Sequence, residues 1–218
     1  MKRLMIVMLL INTTVFVFAQ NPRAFIREMS GTVEVQTPGS AAWTPARLNE
    51  PLRESTIIST GFRSTAIVAV GNSTLIVQAL TRMSIESLMN REQTETVNLN
   101  LNTGRIRVDV KPPVGGKASA SVQTPSATAS VRGTAFELDT VTIRVQEGSV
   151  NFRPGNSVGG SVMVNAGQSS WIDPASGEAV NPLLAAETSV PLPPLPGEED
   201  RNRARRRWPV SPKTTLIP

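Results

Sequence analysis

Between Ala24 and about Asp173 the chain runs in short segments of alternating apolar and polar residues, cut by turn-forming dipeptides. In GRIRVDV, Ile106, Val108 and Val110 share one side while Arg105, Arg107 and Asp109 share the other. TIRVQ repeats the pattern, with Ile143 and Val145 set against Arg144 and Gln146. A period of two in runs rich in Val, Ile and Thr marks β-strands with one face buried and one wet. AFIREM, GTVEV, STIIST, TAIVAV, STLIVQ, MSIESL, TVNLNL, ASVQT, TAFELD, GSVNF, SVMVN and SSWI read the same way. Gly61, Gly71-Asn72, Gly115-Gly116, Gly148, Pro154-Gly155 and Gly159-Gly160 supply turn chemistry between them. Only SIESLMNREQTE offers a helical alternative. The pattern predicts an all-β domain.

A signature G-x-[V/I]-x-[V/F] recurs at Gly31, Gly104 and Gly148, each time ahead of a proline-containing loop. Its intervals, 73 and 44 residues, are unequal, which excludes a fixed-period solenoid. It predicts one strand-entry geometry used three times, with glycine at positive φ or in a bulge. The alternative is that glycine simply precedes strands.

The two ends differ from this middle. Lys2 and Arg3, then the apolar Leu4–Leu10 and Val15–Phe18, then Val17 and Ala19 as small residues ahead of Gln20, make the three zones of a secretory signal peptide. Residues 1–19 are therefore predicted to be removed on export, an uncleaved anchor being the alternative. No cysteine follows the apolar zone, so a lipoprotein anchor is excluded. The domain is placed at residues 20–187. From residue 188 onward the chain is rich in proline and then basic, with no strand or helix period, and reads as a disordered tail.

Charge follows the same division. Twenty-two basic and seventeen acidic residues give +5, but residues 20–197 hold fourteen of each. The excess lies at the ends, so the chain has no nucleic-acid footprint. Arg201, Arg203, Arg205, Arg206 and Arg207, with Trp208, are candidates for weak adhesion to an anionic surface through the tail.

Composition narrows the chemistry. There is no His, Cys or Tyr. That removes Ser-His and Cys-His nucleophile pairs, thiolate or imidazole metal sites and disulfides, and no cofactor or metal site is expected. Carboxylates such as Glu86, Glu137, Asp139 and Glu147 are left as the means of a glycoside hydrolase, which needs two of them at a set separation. Alternation places them on solvated strand faces.

The run VQTPSATASVRGTAFELD, residues 122–139, followed by TIRVQEGSVNF, residues 142–152, resembles the FecR-type domain family. That family forms the periplasmic portion of ferric-citrate-type regulators and of many other exported bacterial proteins. Its pattern carries T-P-x-A before V-R-G-T-x-F, then E-G-x-V and a later A-G. Those positions are filled here by Thr124, Pro125 and Ala127, by Val131, Arg132, Gly133, Thr134 and Phe136, by Glu147, Gly148 and Val150, and by Ala166-Gly167. Gly31, Val33, Val35, Trp43, Leu52, Ile57, Thr60-Gly61 and Ser64 follow the opening half, so the resemblance spans residues 25–172. It implies a twisted, stacked-strand sandwich or a solenoid-like arrangement. Glu54-Ser55 and Gly71-Asn72-Ser73 depart from the family's Gly-Asp and Asp-Gly-Ser turns but keep turn chemistry. The anti-sigma segment, membrane span and short C-terminal module of the ferric-citrate regulators are not recognised here. Their role is accordingly not carried over with the fold.

The motif residues read first as builders of structure. Pro125 ends a strand pairing, Gly133 permits a bulge, and Thr134 and Phe136 resume a strand with Phe136 in the core. Arg132 is read either as a structural bridge to Glu147 or nearby carbonyls, or as a ligand contact. Trp43 and Trp171 are expected to cap the core, with ligand stacking as the alternative. Together these readings predict a non-enzymatic, exported binding or assembly module, periplasmic or secreted, whose partner is an unidentified envelope protein or polymer. A carboxylate-based envelope carbohydrate enzyme is the alternative, and iron-chelate sensing rests on the family name alone.

Overall fold

The computed structural model describes residues 24–91, 94–155 and 159–183. The signal peptide and the tail predicted above lie outside the described residues. Among the described residues the named elements are all strands, arranged in two sheets. The seven-stranded sheet has the order β1 (Ala24–Ser30), β5 (Thr65–Val70), β6 (Ser73–Val77), β9 (Arg105–Asp109), β12 (Ala135–Asp139), β13 (Thr142–Glu147) and β16 (Ser169–Trp171). The nine-stranded sheet has the order β15 (Val162–Asn165), β14 (Ser149–Pro154), β11 (Ala127–Arg132), β10 (Lys117–Gln123), β8 (Thr94–Thr103), β7 (Arg82–Arg91), β4 (Ile57–Thr60), β2 (Val33–Gln36) and β3 (Thr44–Pro45). A single apolar cluster draws on both sheets, with Phe136, Leu138 and Ile106 from one and Phe152, Ile58 and Met83 from the other. The domain is therefore a sandwich whose core is the apolar half of each alternating strand.

The helical alternative fails at β7. Met83 and Ile85 are fully buried, and the register against β8 slips between Ile85 and Ser87. A bulge there resets which side chains face the core, and pairing with β4 on one side and β8 on the other overrides local helix propensity.

Strand pairs are antiparallel throughout except β8 and β10, which run parallel from Thr94↔Lys117 to Asn100↔Gln123. Between them the chain crosses to the opposite sheet, lays down β9 and returns, because parallel neighbours need a crossover and here a strand supplies it. This is one solenoid-like coil inside a sandwich.

The recurring glycine signature marks the crossings. Gly31, Gly104 and Gly148 have φ of 74°, 90° and 79°, and each sits where the chain leaves one sheet for the other. Beside each lies a crossing in the opposite sense, whose buried hydroxyl residue fills the space a Cβ would need: Ser64 at Gly31, Thr81 at Gly104 and Thr134 at Gly148. The hydroxyl also bonds the residue after the glycine. Thr32 N–H donates to Ser64 Oγ at 2.9 Å and Arg105 N–H to Thr81 Oγ1 at 3.0 Å. In the third corner the direction reverses, with Thr134 Oγ1 donating to Ser149 O at 3.2 Å. Positive φ and the close approach together require glycine.

Candidate functional site

The densest part of the sequence, residues 122–152, builds corners. Thr124 is buried in the β10–β11 turn and accepts from Ala127 N–H at 2.9 Å and Ser126 N–H at 3.2 Å. Its hydroxyl donates to Thr140 O at 2.8 Å, in the β12–β13 turn of the other sheet. One side chain thus pins a hairpin of each sheet to the other. Pro125 lies exposed at the tip of its turn, and Val131, Phe136 and Val150 enter the core. Gly133 takes φ 57°, and the β12–β13 register shifts between Ala135 and Phe136. Ala166 and Gly167 close the far end, their N–H groups donating to Gly148 O and Val145 O at 2.9 Å each.

Arg132 departs from the expected bridge. It and Glu147 are both exposed, and among the described residues the Arg132 guanidinium forms no ion pair or hydrogen bond with Glu147 or with corner carbonyls. The reason is topological: Arg132 ends β11 in the nine-stranded sheet, whereas Glu147 ends β13 in the other. Neither tryptophan caps the core. Trp43 is half-buried with the Arg82 guanidinium 5.1 Å from its ring centroid. Trp171 alternates with the buried Ser170 and Ile172, which turns it to the outer face of the seven-stranded sheet.

The four carboxylates are dispersed. Glu86 accepts from Ser84 Oγ on β7. Asp139 caps the β12–β13 turn, accepting from Val141 N–H at 3.0 Å and Thr142 N–H at 2.7 Å, and pairs with Arg105 at 3.6 Å. Glu137 stands in register between Arg107 and Arg144 on the outer face of the seven-stranded sheet. Only 7% of it is exposed, and its Oε1 has no hydrogen-bond partner. Among the described residues no group of three or more acidic, His or Cys side chains is placed to hold a metal ion.

The outer face of the nine-stranded sheet collects a different chemistry, which the strand-by-strand reading missed. Thr96, Asn98 and Asn100 on β8 stand in register with Ser119, Ser121 and Gln123 on β10. Arg132, Ser130 and Thr128 on β11 continue these rows, followed by Ser149, Asn151 and Arg153 on β14. Some of these groups bond one another: Thr96 to Ser119 at 3.1 Å, Asn98 Nδ2 to Ser87 Oγ at 2.7 Å, and Asn151 Nδ2 to Ser161 Oγ at 3.2 Å. The centre of the field carries hydroxyls and amides only, with Glu86, Arg132, Lys117 and Arg153 towards its margins. Ser and Asn are poor strand formers, so their use here runs against backbone preference. The signal in the sequence was the identity of the polar half of TVNLNLNT, KASASVQ and ATASVR, where solvated strands more commonly carry Lys or Glu.

A family model described as FecR protein matches residues 56–151. No curated protein matches the chain. Two crystal structures of a proposed anti-sigma factor from Parabacteroides distasonis ATCC 8503, at 1.65 and 2.50 Å resolution, are similar at 15% and 14% identity. The matches cover 69% and 70% of this chain and 73% and 74% of those, each with a TM-score of 0.46. The matched segment contains two of the three glycine corners, the Thr124 pin and the whole V-R-G-T-x-F run, and over these residues the chain is similar to the FecR family.

Proposed function

We propose that this protein is a non-enzymatic binding and assembly module of the bacterial cell envelope, exported by a cleaved signal peptide, and that the outer face of its nine-stranded sheet receives a neutral glycan polymer. The observation that supports this reading is the uncharged field of Asn98, Asn100, Ser119, Ser121, Thr128 and Ser130. Hydroxyls and amides both donate and accept, which suits a polyhydroxyl chain. The family motif, by contrast, is absorbed in corners and core.

Co-sedimentation of the purified protein with insoluble peptidoglycan and with neutral polysaccharides tests the reading. Binding is expected, without turnover, and Ser121→Glu in the middle of the field should abolish it. Turnover lost on changing Glu86, Glu137, Asp139 or Glu147 would replace the module with an enzyme. Export has its own check: intact mass of the native protein should place the N-terminus at Gln20, and retention of Met1 would contradict it. Adhesion through Arg201, Arg203, Arg205, Arg206, Arg207 and Trp208 should appear as salt-sensitive sedimentation with anionic vesicles, lost on truncation at Thr188.

A further inference from the structure

The four edge strands of the sandwich are closed in three different ways and open in one. Along β1, the segment 49–52 takes the outer edge: Leu52 N–H donates to Ala24 O and Asn49 N–H to Ile26 O, each at 2.8 Å, and Ile26 N–H donates to Glu50 O at 3.3 Å. Along β16, Val180 N–H donates to Trp171 O at 2.9 Å, beside the Ile172↔Ala179 bridge. The third edge, β3, is two residues long, and Pro45 has no N–H to offer. These are ordinary protections against edge-to-edge pairing.

The fourth edge has none of them. β15 pairs with β14 alone; Asn165 is closed by the following turn, its N–H turning away from β14 to donate to Gln168 Oε1 and its C=O accepting from Gln168 N–H, each at 2.9 Å, which leaves Met163 as the open position. By the two-residue alternation of an antiparallel ladder, the N–H and C=O of Met163 turn the same way. Among the described residues no other segment bonds them. From Gly159 to Trp171 there is no charged residue and no proline, and the Met163 side chain is 53% exposed beside the open backbone.

We infer that β15 is a strand-addition site that takes a short, uncharged, extended peptide segment of a partner protein. Strand addition draws affinity from main-chain hydrogen bonds and selectivity from alternate side chains. The added residues on the inner side would continue the apolar row of Val162 and the buried Val164; β15 itself carries no charge, and Glu178, packed against Gly159 ahead of it, disfavours an acidic segment. A second copy of the chain fits poorly. Four residues span only about 13 Å, and two sandwiches meeting on so short an edge fall well short of the roughly 1,200–2,000 Å² of a stable interface. The site lies at the sheet's margin and is independent of the glycan reading.

The test uses the full chain and a fluorescent peptide of alternating threonine and valine. A control peptide is N-methylated at alternate amides, so that it cannot pair. The expected result is saturable binding of the first peptide only, with slowed hydrogen exchange at the Met163 amide. Met163→Pro removes an N–H that points away from β14, so it should keep the melting midpoint and weaken the peptide by at least about tenfold, the equivalent of one good hydrogen bond. If that variant fails to fold, the paired and N-methylated peptides still decide the matter. Equal binding of both peptides, or no slowing at Met163 under saturation, would overturn the site. A concentration-dependent dimer that slows exchange at Met163 without peptide would overturn the choice of occupant in favour of a second copy.

Discussion

Replacing Gly104 with alanine tests the corner architecture most directly. Two separate costs arise. At φ 90° an L-residue strains its own backbone, at about 1–2 kcal/mol. The new Cβ would also lie 2.5 Å from Thr81 Cα and 2.7 Å from Leu80 O. Both are backbone atoms of the neighbouring crossing, so no side-chain rotation relieves the overlap and the crossing itself must move. Overpacking of this kind costs about 1–3 kcal/mol more. The sum, about 2–5 kcal/mol, is a large fraction of an ordinary domain's stability of about 5–15 kcal/mol. Gly133 is the internal control, since it also has positive φ, 57°, but a Cβ there meets nothing within 4 Å. Gly133→Ala should therefore show the backbone strain alone. Urea unfolding followed by circular dichroism would compare both variants with the parent at matched m-values. Equal losses for the two variants, or a Gly104→Ala midpoint at the parental value, would refute the reasoning. Adding Thr81→Ala should not rescue Gly104→Ala, because the closest obstructions that remain are main chain.

Three further outcomes follow from the same structure. Thr124→Val keeps the side-chain shape but strands Ala127 N–H and Thr140 O, so unfolding should become easier by about 1–3 kcal/mol in a urea titration. Arg132→Ala should change stability by less than about 0.5 kcal/mol in the same titration, because its guanidinium is exposed and holds neither Glu147 nor a corner carbonyl; a larger loss would restore the bridge reading. The Ala175 N–H, and then the Ser176 hydroxyl, hold the Asp173 carboxyl below its ordinary value. The support it gives the 173–178 turn is present above the unfolded value of about 4 and is lost as pH falls through the lower folded value. Amide shifts of Ala175 should therefore move below pH 4 in the parent and stay flat in Asp173→Asn.

How much of this was legible depended on the range of the interaction. Alternation in GRIRVDV and TIRVQ placed Ile106, Val108, Ile143 and Val145 in the core, because period two is a property of each strand alone. The glycine signature located three crossings for a similar reason, since positive φ is local. The hydroxyls that press on those glycines, Ser64, Thr81 and Thr134, come from segments 14–33 residues away; Ser64 and Thr134 stand in the family pattern, but nothing local ties any of the three to its glycine. The expected Arg132–Glu147 pair failed on the same ground: proximity in a motif does not say which sheet each residue ends in. Burial of Glu137 was equally hidden, since its two arginine neighbours come from different strands. The outer field on β8, β10 and β11 depends on the parallel pairing of β8 with β10, which no local pattern announces.

That parallel pair has a consequence for the order of events during folding. Each hairpin, such as β5–β6 or β12–β13, closes a loop of a few residues and can form as soon as its second strand exists. The β8–β10 seam joins the strands before it in the nine-stranded sheet to those after it, and it has no partner until the chain has travelled through β9 and reached Gln123. On a chain emerging from its N-terminus, the first half therefore waits with the flank of β8 exposed. Contacts that are distant along the chain form slowly. Pulse-labelled exchange during refolding should find the amides of β5–β6, and those of β10 that face β11, protected before those of β10 that face β8.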